Sequence, residues 1–267
     1  MPVNDELGKR MKTFYEEIPK TKLMRRTPVM TRIDGKAFHT LTRGFNKPFD
    51  EVLMKAMQET MKYLCENIQG CVFGYTQSDE ITLVLVDYQT LTTSAWFDYE
   101  VQKICSIAAS MATMIFNREF SKAVDEFAKE VGKLQKERKF EDFYENGDRL
   151  RAYDKALENG AMFDARCFNV PKEEVTNFVY WRQLDATRNS IQMVGQANFS
   201  HKELQGKSCN QIQDMLHEQK DINWNDFPTS QKRGSACIKQ DGEWIIDLEM
   251  PILKGEDREY VDKLIYI

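Results

Sequence analysis

Two short segments of this 267-residue chain are the most informative about its fold: Thr31-Arg32-Ile33-Asp34-Gly35-Lys36-Ala37-Phe38-His39, and Gly74-Tyr75-Thr76-Gln77-Ser78-Asp79-Glu80, which runs into Ile81-Thr82-Leu83-Val84-Leu85-Val86. Val29 to Ile33 and Ile81 to Val86 are rich in β-branched and aliphatic residues and bounded by turn formers, so both are predicted to be buried strands. Asp34 and Asp79 then stand at strand ends, with Glu80 as a third acid. If the strands are neighbours, two carboxylates face one accessible spot, which suits hard divalent cations.

The residues between these segments predict a helix. Pro48 opens it, apolar residues follow at helical spacing, and Asn67 with Gly70 marks its end. The order strand, helix, strand, turn, strand is the first half of a βαββαβ unit. We therefore predict an α+β fold: a ferredoxin-like palm with an antiparallel sheet and helices on one face, followed by a helical C-terminal extension.

The rest of the chain is predicted to complete this topology. Asp98 to Phe120 has the broad apolar face of a second palm helix, and the charged stretch Lys122 to Asp154 predicts a helix and a mobile loop. Ala161 to Val170 is the predicted fourth palm strand. A helix follows it to about Gln196, and Ser235 to Lys239 is strand-like.

A soft boundary divides the chain into two predicted regions. Residues 1–170 form a palm-like catalytic domain with an N-terminal helix and an inserted helical region. Residues 171–267 form a C-terminal helical, fingers-like region with short strands.

Composition predicts a soluble, cytoplasmic protein that does not enter a membrane. No stretch approaches the roughly 20 apolar residues that span a bilayer, and the acidic start, residues 1–8, fits neither a secretory signal nor a transit peptide. Six scattered cysteines and only three histidines favour buried thiols over a zinc site or a disulfide framework.

One segment stands out against the net charge of −5. Between Lys9 and Arg26 there are seven basic residues and two acids, a candidate phosphate-facing surface whose alternative is a solvated helix face.

Taken in order, the motifs resemble those of the tRNA(His) guanylyltransferases and their templated relatives, the 3′-to-5′ RNA polymerases. The resemblance runs from about residue 5 to about residue 240 and rests on Arg32 to His39, Lys47-Pro48-Phe49-Asp50, Gln77 to Glu80, and Tyr180-Trp181-Arg182-Gln183 with Asp185 and Asn189. Family members often have Asn where this chain has Phe49. Eukaryotic members carry His-Ile-Asn-Asn where it has Thr187-Arg188-Asn189-Ser190, and this difference resembles the bacterial and archaeal branch, whose members repair 5′-truncated tRNAs under template control.

The resemblance implies a nucleotidyltransferase that acts by two-metal phosphoryl transfer, after ATP-dependent activation of the RNA 5′ end. It implies two Mg²⁺ ions, ATP and GTP or other nucleoside triphosphates as substrates, tRNA as partner, and a homotetramer built as a dimer of dimers. The expected catalytic residues are Asp34, Asp79 and Glu80, and the expected metal ligands are Asp34, the Gly35 carbonyl and Asp79. The expected nucleotide or triphosphate contacts are Arg32, Lys36, Phe38, His39, Lys47 and Ser78.

Further contacts to RNA or triphosphate are expected from the C-terminal region. Arg182, Asp185, Arg188 and Asn189 recur at spacings of three or four and so can share one helix face. Lys232 and Arg233 are candidate RNA contacts, although a surface turn is the simpler interpretation. Tyr180 and Trp181 are a helical aromatic pair, for which core packing is more common than base stacking.

Three other functions stay open at this point. A tRNA(His) guanylyltransferase adds a single G at position −1 rather than repairing by template. A palm-domain nucleotidyl cyclase shares the two acids but needs no RNA, and the motif from Tyr180 to Asn189 argues against it. A non-catalytic RNA-binding module would be marked by loss of Asp34 or Asp79, and both are present.

Overall fold

The computed structural model describes residues 5–137 and 140–266, and its centre is a six-stranded sheet. The strands are β1 (Val29–Gly35), β2 (Cys71–Gln77), β3 (Glu80–Leu85), β4 (Phe163–Asn169), β5 (Ser235–Gln240) and β6 (Glu243–Asp247). They lie in the order β4-β1-β3-β2-β5-β6, and every neighbouring pair is antiparallel.

The helices alternate with these strands in the order expected for a βαββαβ unit. They are α1 (Glu6–Met11), α2 (Phe38–Leu41), α3 (Glu51–Asn67), α4 (Val101–Lys136), α5 (Phe140–Asn159), α6 (Lys172–Asn198), α7 (His201–Leu204), α8 (Cys209–Lys220), α9 (Thr229–Arg233) and α10 (Glu259–Asp262). With α3 between β1 and β2, and α4 and α5 between β3 and β4, the predicted α+β palm is confirmed.

Alternation along the strands sorts side chains onto two faces of the sheet. On one face Ile33, Ile81 and Leu83 pack in the hydrophobic core that α3 and α4 cover. On the other, Met30 and Val84 pack in the core that includes the buried face of α6. The palm helices thus lie on one face, as expected, and the C-terminal extension covers the opposite face.

The segment from residue 98 to residue 154 is more helical than predicted. Three consecutive residues, 97–99, have positive φ angles, and α4 begins just after them at Val101. It continues to Lys136, well past the predicted end at Phe120. The stretch from Lys122 to Asp154, predicted as a helix and a mobile loop, is instead the end of α4 and most of α5 in its described residues.

One sheet contains strands from both sides of position 170, where the soft boundary between the two predicted regions was placed. β5 joins β2, with Cys237 opposite Gly74 and Ala236 opposite Tyr75. The predicted division into two regions stays a prediction. Among the helices described, none combines the length and the apolar character that crossing a membrane requires.

Candidate active site

Asp34 and Asp79 meet at one edge of the sheet, the arrangement expected from the sequence. Asp34 lies near the end of β1, and Asp79 lies in the turn between β2 and β3. The Gly35 amide donates a hydrogen bond to the Asp79 carbonyl oxygen at 3.0 Å, which ties the two backbones together. Burial raises the pKa of Asp79, and the negative charge of Asp34 acts in the same direction. The site therefore holds two carboxylates that repel each other.

The donors at this edge fit a divalent cation. Within residues 5–137 and 140–266, no lysine, arginine or histidine forms an ion pair with Asp34 or Asp79. The same residues contain no cluster of three or more His, Cys, Asp or Glu side chains arranged to hold a metal. Mg²⁺ is commonly bound by one or two carboxylates together with substrate phosphates. The uncompensated acid pair, with the adjacent Gly35 carbonyl, is a donor set of that kind.

The structure shows a packing reason for Gly35. A Cβ atom there would lie 2.3 Å from Cδ2 of Phe38, so a larger residue requires the ring to move. Phe38 is only 4% exposed, and its ring contacts those of Phe116 and Phe163 at centroid distances of 5.4 and 5.2 Å. Phe38, expected to contact the nucleotide, is therefore mainly a core residue. Its ring fills the space that a side chain at position 35 would need.

Glu80 is placed to orient the site rather than to bind a metal. Its side chain is buried, and its two oxygens accept hydrogen bonds from Arg182 Nε at 2.7 Å and Arg182 Nη2 at 3.0 Å. Arg32 forms an ion pair with the same carboxylate. Glu80 follows Asp79 and lies opposite Asp34 in the β1–β3 ladder. These ion pairs therefore hold in place the acidic edge, the edge of the sheet that carries Asp34 and Asp79.

The polar residues of α6 differ in their exposure. Arg182 is 5% exposed and also donates to Asp185 at 2.9 Å. Its donors are therefore used inside the protein, whereas the sequence predicted that they would contact RNA or triphosphate. Arg188 is exposed and forms an ion pair with Asp185. Asn189 lines a small cavity of about 90 Å³ together with Ser78. Arg188 and Asn189 are therefore the accessible members of this set.

A larger cavity of about 420 Å³ opens beside Asp79 and Gly35, although Asp34 itself is not among the residues that line it. The residues that line it include Gly35, His39, Lys47, Ser78, Asp79, Asn46, Asp50 and Met193. His39 and Lys47 are exposed there, and the Ser78 hydroxyl lies 3.1 Å from Asp79 Oδ1 as a hydrogen-bond donor. The volume is in the range of small-molecule sites. Four of the expected nucleotide or triphosphate contacts thus line one cavity: Phe38, His39, Lys47 and Ser78.

The other expected contacts do not line this cavity, among them Arg32 and Lys36 of the nucleotide set and Lys232 and Arg233 of the RNA set. The exposed side chain of Lys36 lies outside it. Lys232 Nζ donates to the Asn225 carbonyl at 2.5 Å, and the Arg233 carbonyl accepts from the Tyr75 hydroxyl at 2.6 Å. Both residues lie in the short helix α9 and are partly buried, so they do not form the surface turn that was the simpler interpretation, and their contact with RNA stays a prediction.

No role was predicted for Asp50, although it belongs to the motif that begins at Lys47. Asp50 is the N-cap of α3, where its Oδ1 accepts from the Leu53 amide at 2.9 Å. Its Oδ2 accepts from the Asn46 amide at 2.8 Å and from the Tyr153 hydroxyl at 2.6 Å. The cap itself was detectable, because an aspartate directly before an amphipathic helical repeat is a common start signal.

Part of the basic N-terminal segment is neutralised within the chain. Lys22 and Arg25 both form ion pairs with Asp98, and Arg25 Nε also donates to Asp87 at 2.6 Å. The basic residues between positions 9 and 12 are exposed on the first helical turns. The surface that stays open to phosphates is therefore narrower than predicted.

Two solved structures are similar to this chain over nearly its whole length. One, a bacterial tRNA(His) guanylyltransferase (Thg1)-like protein in complex with ATP, is 44% identical with a TM-score of 0.81, covering 98% of this chain and 100% of that chain. The other, a bacterial protein of the same description in complex with GTP, is 38% identical with a TM-score of 0.73 and the same coverage, 98% and 100%. The tRNA(His) guanylyltransferase of Saccharomyces cerevisiae is 24% identical over 226 residues, 79% of this chain and 82% of the yeast protein.

The sequence model of one protein family, described as Thg1, tRNAHis guanylyltransferase, matches residues 8–171. The chain belongs to this family. It is a nucleotidyltransferase of the Thg1 type, so the resemblance and the enzyme class inferred from the motifs are confirmed. The matched region contains both acids, the residues that line the larger cavity except Met193, and α5.

Proposed function

We propose that this enzyme adds nucleotides in the 3′-to-5′ direction to the 5′ end of tRNA, as template-dependent repair of 5′-truncated tRNA after ATP-dependent activation of that end. The observation that carries the proposal is the position of Asp79 at a cavity of about 420 Å³ that His39, Lys47 and Ser78 also line, with Asp34 held next to it by the hydrogen bond from the Gly35 amide to the Asp79 carbonyl oxygen. The similar proteins described with bound ATP and GTP support nucleoside triphosphates as its ligands.

The acidic edge suits phosphoryl transfer. In the proposed reaction the 3′-hydroxyl of an incoming nucleotide attacks the 5′-phosphate of the adenylylated RNA in line with the bond to AMP, so AMP leaves as the new phosphodiester bond forms. Mg²⁺ held by Asp34, Asp79 and the Gly35 carbonyl would supply a lowered pKa for the attacking hydroxyl and compensation of phosphate charge. Without a bound cation, the negative charge of the two carboxylates would also repel an anionic triphosphate.

The cavity side chains bind and orient the triphosphate in this proposal. Lys47 and His39 present exposed donors, and the Ser78 hydroxyl can turn from Asp79 to a phosphate oxygen. Arg32 does not line the cavity, and its guanidinium pairs with Glu80, so its part in this proposal is to hold Glu80 in place.

Two observations favour templated repair over the addition of one fixed guanosine. The chain is 44% identical to the bacterial Thg1-like protein but 24% identical to the yeast guanylyltransferase. In addition, residues 187–190 lack the eukaryotic His-Ile-Asn-Asn sequence. Base pairing with the opposite RNA strand then selects the nucleotide.

Extension of 5′-truncated tRNAs with each of the four nucleotides tests the proposal. We expect G to be added opposite C and U opposite A, and we expect Asp34→Ala and Asp79→Ala each to remove the activity. Addition of G alone, whatever the opposite base, would establish the guanylyltransferase alternative. Cyclic product from labelled ATP without RNA would establish a cyclase.

We also propose that the enzyme assembles as a homotetramer. Large apolar side chains of the N-terminal segment are 60–73% exposed in the single chain, and a subunit contact would cover them. These residues are Leu7, Phe14, Tyr15 and Ile18. Sedimentation equilibrium measures the assembled mass, and a mass near the 31.3 kDa of one chain would overturn the tetramer.

A further inference from the structure

We propose that Tyr153 of α5 is a positioning residue for Lys47 and acts through Asp50. This inference rests on the proposed use of the larger cavity as a nucleotide site. Lys47 and Asp50 line that cavity, whereas Tyr153 is buried behind its wall. The motifs and the proposed chemistry assign no task to α5.

Asp50 closes residues 46–50 into a loop with Lys47 inside it. Asp50 Oδ2 accepts from the Asn46 amide at 2.8 Å, and Oδ1 accepts from the Leu53 amide at 2.9 Å. The Asp50 side chain is 5% exposed, so protein donors must replace its water. The direction of this carboxylate therefore fixes the backbone on either side of Lys47.

The Tyr153 hydroxyl supplies the third donor, at 2.6 Å from Asp50 Oδ2. Its ring is 1% exposed and packs edge-to-face against Phe45 and Phe127, with centroid distances of 4.8 and 5.4 Å. A phenylalanine would fill this aromatic core equally well. A buried hydroxyl is unfavourable unless it is hydrogen-bonded, so the hydroxyl is explained by Asp50.

The same helix makes a second contact to the loop. Arg149 lies one turn before Tyr153, and its Nη2 donates to Asn46 Oδ1 at 3.2 Å. Helix α5 therefore contacts the residue before Lys47 directly and contacts Asp50 at the loop's other end. Two contacts on opposite sides of one exposed lysine are what a positioning element requires.

Tyr153→Phe removes the hydroxyl and keeps the ring. We expect the Kd for ATP in the presence of Mg²⁺, and the KM for the added nucleotide, to rise roughly three- to tenfold, with kcat changed less than about twofold. The matched control is Tyr260→Phe, because the Tyr260 hydroxyl donates to Asp247 at the same distance, 2.6 Å, outside the cavity. It should lower Tm to a similar extent and leave Kd and KM unchanged.

A double-mutant cycle with Lys47→Ala separates positioning from loss of stability. If Tyr153 acts through Lys47, then Tyr153→Phe changes the ATP Kd less than about twofold in the Lys47→Ala background, while it lowers Tm equally in both backgrounds. Full additivity of the two changes in Kd, or an equal rise in Kd for Tyr260→Phe, overturns the positioning role.

The cycle also distinguishes this inference from the proposed function. ATP binding is measured without RNA, so a wild-type enzyme that binds ATP but does not extend tRNA overturns the repair function and leaves the cycle valid. Normal extension with an unchanged ATP Kd in Tyr153→Phe overturns the positioning role alone. Failure of the wild-type enzyme to bind ATP overturns both.

Discussion

Arg182 and Glu80 are joined by two hydrogen bonds, of 2.7 and 3.0 Å, although 102 residues separate them in the chain. Both side chains are buried, at 5% and 3% exposure. A charge in such surroundings is tolerated only when it is paired and hydrogen-bonded. This pair therefore couples α6 of the C-terminal extension to the strand that begins beside Asp79.

Breaking this pair should be costly. Arg182→Gln leaves Glu80 with Arg32 as its only cationic partner among the described residues, and we expect the free energy of unfolding to fall by about 3–5 kcal/mol. Urea denaturation measures the change. Arg188→Gln is the control, because Arg188 is exposed and should contribute less than about 1 kcal/mol. Equal stability of Arg182→Gln and the wild-type enzyme would show that Arg32 alone neutralises Glu80.

Removing one acid should stabilise the metal-free enzyme. Burial, and then the charge of Asp34, raise the folded-state pKa of Asp79, so the ionised side chain opposes folding. The contribution of protonated Asp79 to stability is complete below its ordinary pKa of about 3.9 and is lost as the pH rises through the higher folded value. Asp79→Asn should thus raise Tm at pH 7 in EDTA and have little effect near pH 3.

Magnesium should reverse the order of the two Tm values, so that the wild-type enzyme becomes more stable than Asp79→Asn. Mg²⁺ stabilises whichever folded form binds it, so its addition should raise the Tm of the wild-type enzyme but not that of Asp79→Asn. Asp214→Asn, at an exposed position of α8, should behave as the wild-type enzyme does in both conditions. A wild-type Tm that does not respond to Mg²⁺ would contradict the assignment of the acid pair as a metal site.

The acidic edge could be predicted from sequence because its signals are local. Aliphatic runs next to turn formers located β1 and β3 to within about two residues, which placed Asp34 and Asp79 at strand ends. The βαββαβ order then made β1 and β3 neighbours. No contact beyond the palm was needed for that inference.

The role of Arg182 could not be predicted in the same way. Spacings of three or four show which residues share a helix face, but they do not show which way that face turns against a sheet. The packing of α6 directs Arg182 to Glu80 and leaves Trp181 50% exposed, although the aromatic pair was expected to be core. Tyr180, its neighbour, does pack against the core that contains Met30 and Val84.

Gly35→Ala tests whether packing explains the glycine. Its Cβ would lie 2.3 Å from the Phe38 ring, so we expect destabilisation of about 1–3 kcal/mol. Gly132→Ala is the matched control, because no atom lies within 4 Å of a Cβ at that position of α4 and alanine favours a helix. It should be neutral or stabilising by up to about 1 kcal/mol.

A second substitution should relieve the clash. In a Phe38→Leu background the smaller side chain leaves room, so Gly35→Ala should cost less there than in the wild-type enzyme, as measured by urea denaturation. Independent, additive effects of the two substitutions would show that the Phe38 ring is not what limits position 35.

Four basic residues of the N-terminal segment should carry the salt dependence of tRNA binding, because they form no ion pair within the part of the chain that the structure describes. On the proposed function, replacing Lys9, Arg10, Lys12 and Lys20 together by glutamine should weaken binding. It should also flatten the plot of log affinity against log salt, by about 0.7 to 0.9 for each phosphate that these side chains no longer neutralise. Filter binding of labelled tRNA at several KCl concentrations measures the slope.

Lys22 and Arg25 supply the contrast within the same segment. Their charges are engaged by Asp98 and Asp87, so replacing both by glutamine should leave the slope nearly unchanged and lower Tm by loosening the segment. If these two residues controlled the slope and the other four did not, the ion pairs would have to open on RNA binding. The exposed turns would then serve only as a solvated surface, which was the alternative interpretation of this segment's charge.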